Sequence, residues 1–341
     1  MAKIFSASTI KNVTIPNRIV MPPMCQYTAS EDGKVSEWHK VHYGARAIGK
    51  VGLIILEATA VEPRGRITDN DLGIWENGQI SGLQELVEFG HRQGSVMAIQ
   101  LGHAGRKSMI TNQATVIAPS AIPFDEKSIT PVEMTKETIG EVVQAFRDAA
   151  RRADQAGFDL LEIHGAHGYL IHEFLSPISN QRVDEYGGTR LGRVRLLQEI
   201  VQAIQKEWPK EKPLILRISA TDYLAEGIDV KEMVEILKIV KEEGIDLIHV
   251  SSGGLVHAKI NLGPGYQIGL SEIIKQEVGL PTIAVGLITE PELAEEILQN
   301  ERADYVAIGR ELLSDPHWVL KAAKKLGSEL EWPLPYARAK R

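Results

Sequence analysis

The sequence predicts a single α/β domain over residues 1–341, a (β/α)8 barrel with a long lid-like loop after the third strand. Three observations carry that reading. Eight short runs are almost wholly apolar, as parallel strands buried on both faces require, whereas half-exposed strands alternate apolar with polar residues. Amphipathic helical patterns lie between those runs. The length of 341 residues falls in the range of such barrels. A doubly wound sheet, the other fold built from these units, usually carries a glycine-rich turn after its first strand, and none follows here.

The strands read in order along the chain. "RIVMPPM" (18–24), "GLIILEAT" (52–59), "SVMAIQLG" (95–102) and "FDLLEIHG" (158–165) give the first four. "PLILRIS" (213–219), "DLIHVSS" (246–252), "PTIAVG" (281–286) and "DYVAIGR" (304–310) give the rest. Between them, "TIGEVVQAFRDAARRADQAG" (138–157) spaces its apolar residues by three and four and ends on glycine. "DVKEMVEILKIVKEEG" (229–244) repeats the design, with Asp229 as cap and Gly244 as stop. Two connections exceed ordinary length, residues 101–134 and 164–190. Both follow strands, so both belong to the face where barrels place chemistry, and the first reads as a lid over the mouth.

Composition bounds the function. The chain is 43% hydrophobic and 24% charged, and 38 basic against 45 acidic residues leave a net charge of −7. That balance argues against a nucleic-acid or anionic-membrane surface. The opening "MAKIFSASTIKNVTIPNRIV" lacks the apolar core of a signal peptide, and the richest apolar run, "VGLIILEATAV", is too short to span a bilayer and carries Glu57. One cysteine, Cys25, excludes an intrachain disulfide and any multi-cysteine metal site. A soluble, cytoplasmic protein with neither nucleic-acid nor membrane partners is the expectation.

A polar residue near the C-terminal end of a barrel strand needs a reason, because strand side chains there pack in apolar layers. Here most strands have one. Cys25 follows the first, Gln100 sits in the third, His164 closes the fourth, and Arg217 lies in the fifth. Ser252 and Gly253 of "SSGG" follow the sixth, Gly286 the seventh, and Gly309 with Arg310 the eighth. Cys25 reads equally as a small buried apolar residue, and Gln100 as a group that satisfies nearby backbone. Arg217 is different: flanked by "LIL" and "IS", its guanidinium demands an anionic or strongly polar partner. Glycines after the last two strands match the usual phosphate position in these barrels, where backbone N–H groups can approach an anion and Arg310 can add a charge-assisted bond.

The stretch "HGAHGYLIHEFLSP" (164–177) leaves three readings open. Histidines at i and i+3 share a helix face and could hold zinc, as in a metal-assisted hydrolase or lyase barrel. A third ligand is hard to find, since "HEFLS" does not complete the H-E-x-x-H pattern. The pair could equally be two hydrogen-bonded structural histidines. In the third reading, His164 and His167 aim imidazole N–H groups at one substrate oxygen, with Tyr169 nearby as a proton source.

Taken together, "MPPMCQY", "QLGHAGRK", "IHGAHGYLIHEFLSPISNQRVDEYGG", "LRIS", "SSGGLVH" and "IGRELLSDP" resemble the old yellow enzyme family of FMN-dependent ene-reductases. The likeness is nearest its shorter bacterial NADPH dehydrogenase branch, which carries a cysteine after the first strand. It runs in order from about residue 4 to the C-terminus. The resemblance implies a tightly but non-covalently bound FMN, NADPH as reductant, and small activated alkenes as substrates in ping-pong turnover. Pro23, Met24 and Cys25 would lie along the flavin, Ala58 would leave room at its carbonyl edge, and Gln100 would bond its pyrimidine ring. Arg217 would face the N1/C2-carbonyl side, with Ser252 and Gly253 also on the cofactor. Gly286, Gly309 and Arg310 would hold the phosphate. His164 and His167 would bind the substrate carbonyl, Tyr169 would deliver a proton, Tyr27 would touch the substrate from the opposite side, and Lys107 is a further contact candidate.

Gln26 stands where this branch leads one to expect methionine, and Gly102 and Gly165 where it has alanines. A single cysteine excludes the larger relatives' iron–sulfur cluster. The tail 328–341, with "WPLPYARAKR", reads either as a solvated basic terminus or as a subunit contact. In the second case the resemblance implies that Arg338 reaches a neighbouring subunit's active site in a symmetric homodimer or homotetramer.

Overall fold

The computed structural model describes residues 2–111 and 115–340. Eight strands close into a barrel: β1 (Ile19–Met21), β2 (Leu53–Ala60), β3 (Val96–Gly102), β4 (Leu160–Gly165), β5 (Leu214–Ser219), β6 (Leu247–Ser251), β7 (Thr282–Ala284) and β8 (Tyr305–Ala307). Each pairs in parallel with its neighbours in sequence, and β8 returns to β1. Helices fill the connections: α1 (Glu37–Ile48), α2 (Ile80–Gln93), α3 (Lys136–Gln155), α4 (Leu170–Leu175), α5 (Arg190–Ile204), α6 (Val230–Lys241), α7 (Ile268–Val278), α8 (Pro291–Gln299), α9 (Arg310–Ser314) and α10 (Trp318–Lys325). The predicted barrel is therefore the observed one. Among the described residues no helix is long and apolar enough to cross a membrane.

Local chemistry sets the element ends. The Asp229 side chain accepts from the Glu232 backbone N–H and caps α6, and Gly244 beyond its end takes a left-handed φ of 96°. Thr135 caps α3 in the same way through Thr138 N–H. Except for β2, the observed strands are shorter than predicted; β1 stops at Met21 because Pro22 and Pro23 have no N–H for the ladder. Beneath the barrel lies an antiparallel hairpin, Ser8–Ile10 with Val13–Ile15, that the sequence reading did not anticipate. It brings Ile15 into the apolar floor of the barrel.

Alternation along each strand divides the packing. Val20, Leu53, Ile55, Ala98, Leu160, Ile215, Leu247 and Ile283 form one inner apolar cluster. Residues of opposite parity, such as Ile54, Ile99, Ile163, Leu216 and Ile248, pack outward against helix residues including Phe146, Leu197 and Ile236. The loop after β3 contains two paired two-residue strands, Ile117–Ala118 and Val132–Glu133. Residues 112–114 of the expected lid, and Arg341 of the expected interface tail, lie outside the described residues.

Candidate active site

Two residues beyond each of four floor residues, on the same inward face, stands a polar one: Gln100 after Ala98, Glu162 after Leu160, Arg217 after Ile215 and His249 after Leu247. All four are buried. Two residues further come Gly102, His164, Ser219 and Ser251, which open the mouth. Within the polar layer, Gln100 Nε2 donates to Glu162 Oε1 at 2.7 Å, and His249 Nδ1 lies 2.8 Å from Glu162 Oε2. Arg217 Nε and His249 Nε2 are buried without a hydrogen-bond partner. Burial pulls the Arg217 pKa down, and Glu162 is the first of the charges that push it back up.

β2 contributes differently. Its ladder with β3 shifts register between Leu56 and Ala58, so Glu57 is an extra residue and Ala58 lies opposite Gln100. Glu57 turns instead toward α1. Its carboxylate accepts from Tyr43 Oη at 3.0 Å and from the Gln26 backbone N–H at 2.7 Å, with His39 Nε2 at 3.3 Å. That bond fastens the segment Pro23–Tyr27. Gln26, the departure from the family pattern, adds two ties: its Nε2 donates to Met24 O and its Oε1 accepts from Trp38 Nε1. Cys25 is thereby held against Ala58, Ile67 and Ala104. Burial first, then the Glu57 and Asp71 charges, push the Cys25 thiol up to about 12.

His164 and His167 do come together, but not on a helix as the i, i+3 reading supposed. His164 ends β4, and His167 occupies a left-handed turn (φ 60°). Their rings meet edge-on with centroids 5.3 Å apart, and the Tyr169 ring lies 4.9 Å from that of His164. Burial first, then the Arg217 charge, holds both imidazoles well below the ordinary histidine range, so both are neutral. The Ala166 N–H points at His164 Nδ1 from 3.4 Å, which leaves the proton on Nε2. His167 Nε2 is 2.7 Å from Ser251 Oγ. Burial pushes the Tyr169 phenol above its ordinary value. Ala58, Gly102, His164 and Tyr169 line one slot. Above it a cavity of about 510 Å³ is bounded by Tyr27, Ile67, Lys107, Phe124 and Tyr169.

Lys107 is not a solvated loop lysine. Its ammonium donates to His167 O at 2.9 Å and Gly254 O at 3.0 Å, stapling the loop after β4 to the loop after β6. Those loops touch: a Cβ at Gly168 (φ 73°) would lie 2.3 Å from Gly254 O, so only glycine fits. On the far side of the mouth, Arg217, Ser251, Gln267, Gly286, Gly309 and Arg310 line a cavity of about 190 Å³. Ser252 donates to Gln267 and accepts from Tyr223 Oη. Gly253 takes a left-handed φ of 67° in the same loop. Arg338 lies on the exposed tail, whose Tyr336 ring contacts His317.

Several contributors escaped the sequence reading. Three buried histidines each accept a backbone N–H at Nδ1 and so offer Nε2–H to a carboxylate. His39 pairs Ser36 N–H with Glu57, His103 pairs Gly105 N–H with Glu62, and His172 pairs Gly168 N–H with Asp222. Each braces one loop of the mouth. Glu162, His249 and Gln267 were also missed as site residues. For the first two the signal was present, a charged or imidazole side chain two places beyond an inward apolar one. Gln267 gave none. Among the described residues no three His, Cys, Asp or Glu side chains converge as a metal site would need.

The family model for NADH:flavin oxidoreductases / NADH oxidases matches residues 3–329. The chain belongs to that family. This agrees with the resemblance to old yellow enzymes in the motifs. The NADPH dehydrogenase of Geobacillus thermodenitrificans is 54% identical over 336 residues, covering 98% of each chain. That of Bacillus subtilis is 53% identical over 337 residues, again 98% of each. Among solved structures, morphinone reductase has a TM-score of 0.82 at 27% identity, over 98% of this chain and 92% of its own. A 2-naphthoyl-CoA reductase reaches 0.89 at 25% identity, and the match spans 96% of this chain but 52% of that one.

The residues present fit the family's FMN. Arg217 Nε is a buried cationic donor with no acceptor among the described residues, as an anionic ring over the mouth would require. At the other end of the mouth, Gly286 takes a φ of 135°, which side chains rarely adopt, and shares its cavity with Gly309 and Arg310, a lining of backbone and guanidinium that suits a phosphate. Cys25 offers an independent check of the flavin oxidoreductase's mouth. With its pKa near 12 against 9 for the ordinary thiol, its thiolate fraction at pH 8 is lower by about a thousandfold. Iodoacetamide should therefore label native Cys25 much more slowly than the urea-unfolded chain, and comparable rates would contradict the raised thiol pKa.

Proposed function

We propose that the protein is an NADPH-dependent, FMN-containing ene-reductase that reduces the C=C bond of α,β-unsaturated carbonyl or nitro compounds. The observation that carries this reading is a neutral, buried His164 whose Nε2–H is unspent, in one slot with Tyr169, above a polar layer whose Arg217 lacks a partner. FMN, when bound, supplies the hydride acceptor and donor. Arg217 and Gln100 hold its pyrimidine ring; Gly286, Gly309 and Arg310 its phosphate; Pro23, Met24, Cys25, Ala58, Ser252 and Gly253 complete the bed.

Over that bed, His164 donates to the substrate's carbonyl or nitro oxygen, where negative charge builds as the alkene is reduced, and His167 assists from the adjoining turn. Neutral imidazoles suit this task, since each brings an N–H without the desolvation cost of a buried cation. Tyr169, kept protonated by burial, delivers a proton to the α-carbon. Tyr27 closes the slot from the other side, and Lys107 keeps the His167 turn in place for both partners. NADPH and the alkene take turns at this mouth, so turnover is ping-pong.

His164→Ala should slow reduction of 2-cyclohexenone by about 10²–10³-fold while NADPH still bleaches the bound FMN at the wild-type rate. Unchanged enone reduction with FMN bound would show that the oxyanion role is wrong. For the assembly, we propose a homodimer or homotetramer in which Arg338 enters the substrate mouth of a second copy. A chain ending before Trp332 should then show a raised KM for the alkene, and full turnover by that shortened protein would count against a shared site.

A further inference from the structure

Glu162 is left without a task by the proposed function, yet it is fully buried in the middle of β4 and anchors the polar layer. Both of its oxygens are engaged. Oε1 accepts from Gln100 Nε2 at 2.7 Å, and Oε2 faces His249 Nδ1 at 2.8 Å. Two consequences follow from donor and acceptor counting. Gln100 gives one N–H of its amide to Glu162, which fixes that amide's orientation and leaves its carbonyl oxygen and second N–H for a ligand; without the carboxylate the amide could present either end. His249 must carry its proton on Nδ1 to meet a carboxylate, so its buried Nε2 is a bare acceptor, and it has no partner.

The second feature is charge. Arg217 projects from β5 into the same layer, with His249 beside it in the β5–β6 register. A guanidinium under a bound ring favours whichever form of that ring carries more negative charge. A carboxylate in the same dry layer opposes that preference, and screening by water is weak there.

We propose that Glu162 is a positioning residue for the cofactor: it turns the Gln100 carbonyl toward the FMN pyrimidine ring and offsets the Arg217 charge, holding the flavin's reduction potential down. The proposal rests on the FMN reading above. Glu162 touches neither cofactor nor substrate in it; the residue acts through Gln100 and through its field.

The test uses the full-length holoenzyme and two variants. Glu162→Gln keeps the shape: its carbonyl still accepts from Gln100, and its NH₂ meets His249 once that ring carries its proton on Nε2 instead. Folding and FMN content should persist, while reduced flavin becomes favoured over oxidised flavin by about tenfold or more, an upward shift of ~30 mV for a two-electron couple. Glu162→Leu also removes the acceptor, so apoprotein of that variant should bind oxidised FMN at least tenfold more weakly than wild type. A Glu162→Gln potential changed by less than about twofold in that preference (under ~10 mV), with FMN bound, overturns the proposal and leaves the proposed function standing. Wild-type protein that takes up no FMN overturns both. A purely structural Glu162 would lower stability in the variants without moving the potential.

Discussion

A closed parallel barrel has a dry interior, and every polar atom placed in it must find a partner there or in a ligand. This chain places four polar side chains in one inner layer, and the architecture above them follows from that choice. Gln100, Glu162 and His249 bond to one another, but Arg217 Nε and His249 Nε2 are left over. Leaving a buried polar group unpaired costs about 1–3 kcal/mol, and more for a charged one. An anionic, hydrogen-bonding ring lying over the mouth removes the larger of those penalties. In the proposed function, the cavity beside β7 and β8 lined by Gly286, Gly309 and Arg310 would hold the other end of the same molecule.

The loops that complete the mouth are held by devices that keep some of their residues in backbone conformations they would not choose. Tyr27, His167 and Leu287 are non-glycine residues with positive φ, in the loops after β1, β4 and β7. Such backbone costs on the order of 1–3 kcal/mol per residue and persists only where its surroundings over-determine it. Here they do. Glu57 fixes the Cys25–Tyr27 segment, the His172–Asp222 pair holds Gly168, and Lys107 ties His167 to Gly254. Binding geometry at the mouth is thus set from below and from the side, before any ligand arrives.

Much of this was legible in the sequence. All eight strands could be read from apolar runs, because burial on two faces leaves no room for other patterns, and so could two helices, α3 by its spacing and α6 with its Asp229 cap. The mouth residues were legible because polar groups at strand ends are conspicuous. What stayed hidden depends on pairs distant in sequence or on local irregularity. Nothing near His172 announces Asp222, fifty residues on. Glu57 reads as a polar interruption of a strand, and only the bulge at Leu56/Ala58 shows that it points away from the barrel. The histidine pair was seen, but its helical spacing was not the reason for its convergence; a strand end and a left-handed turn bring the rings together.

In the proposed function, FMN completes the hydrogen bonding of the Arg217 guanidinium. Calorimetric titration of flavin-free protein with FMN tests it most directly. One FMN should bind per chain, and Arg217→Met, which keeps the side chain's length but not its charge, should weaken binding by at least about thirtyfold. Equal affinity in the two proteins, or no uptake by either, would contradict it.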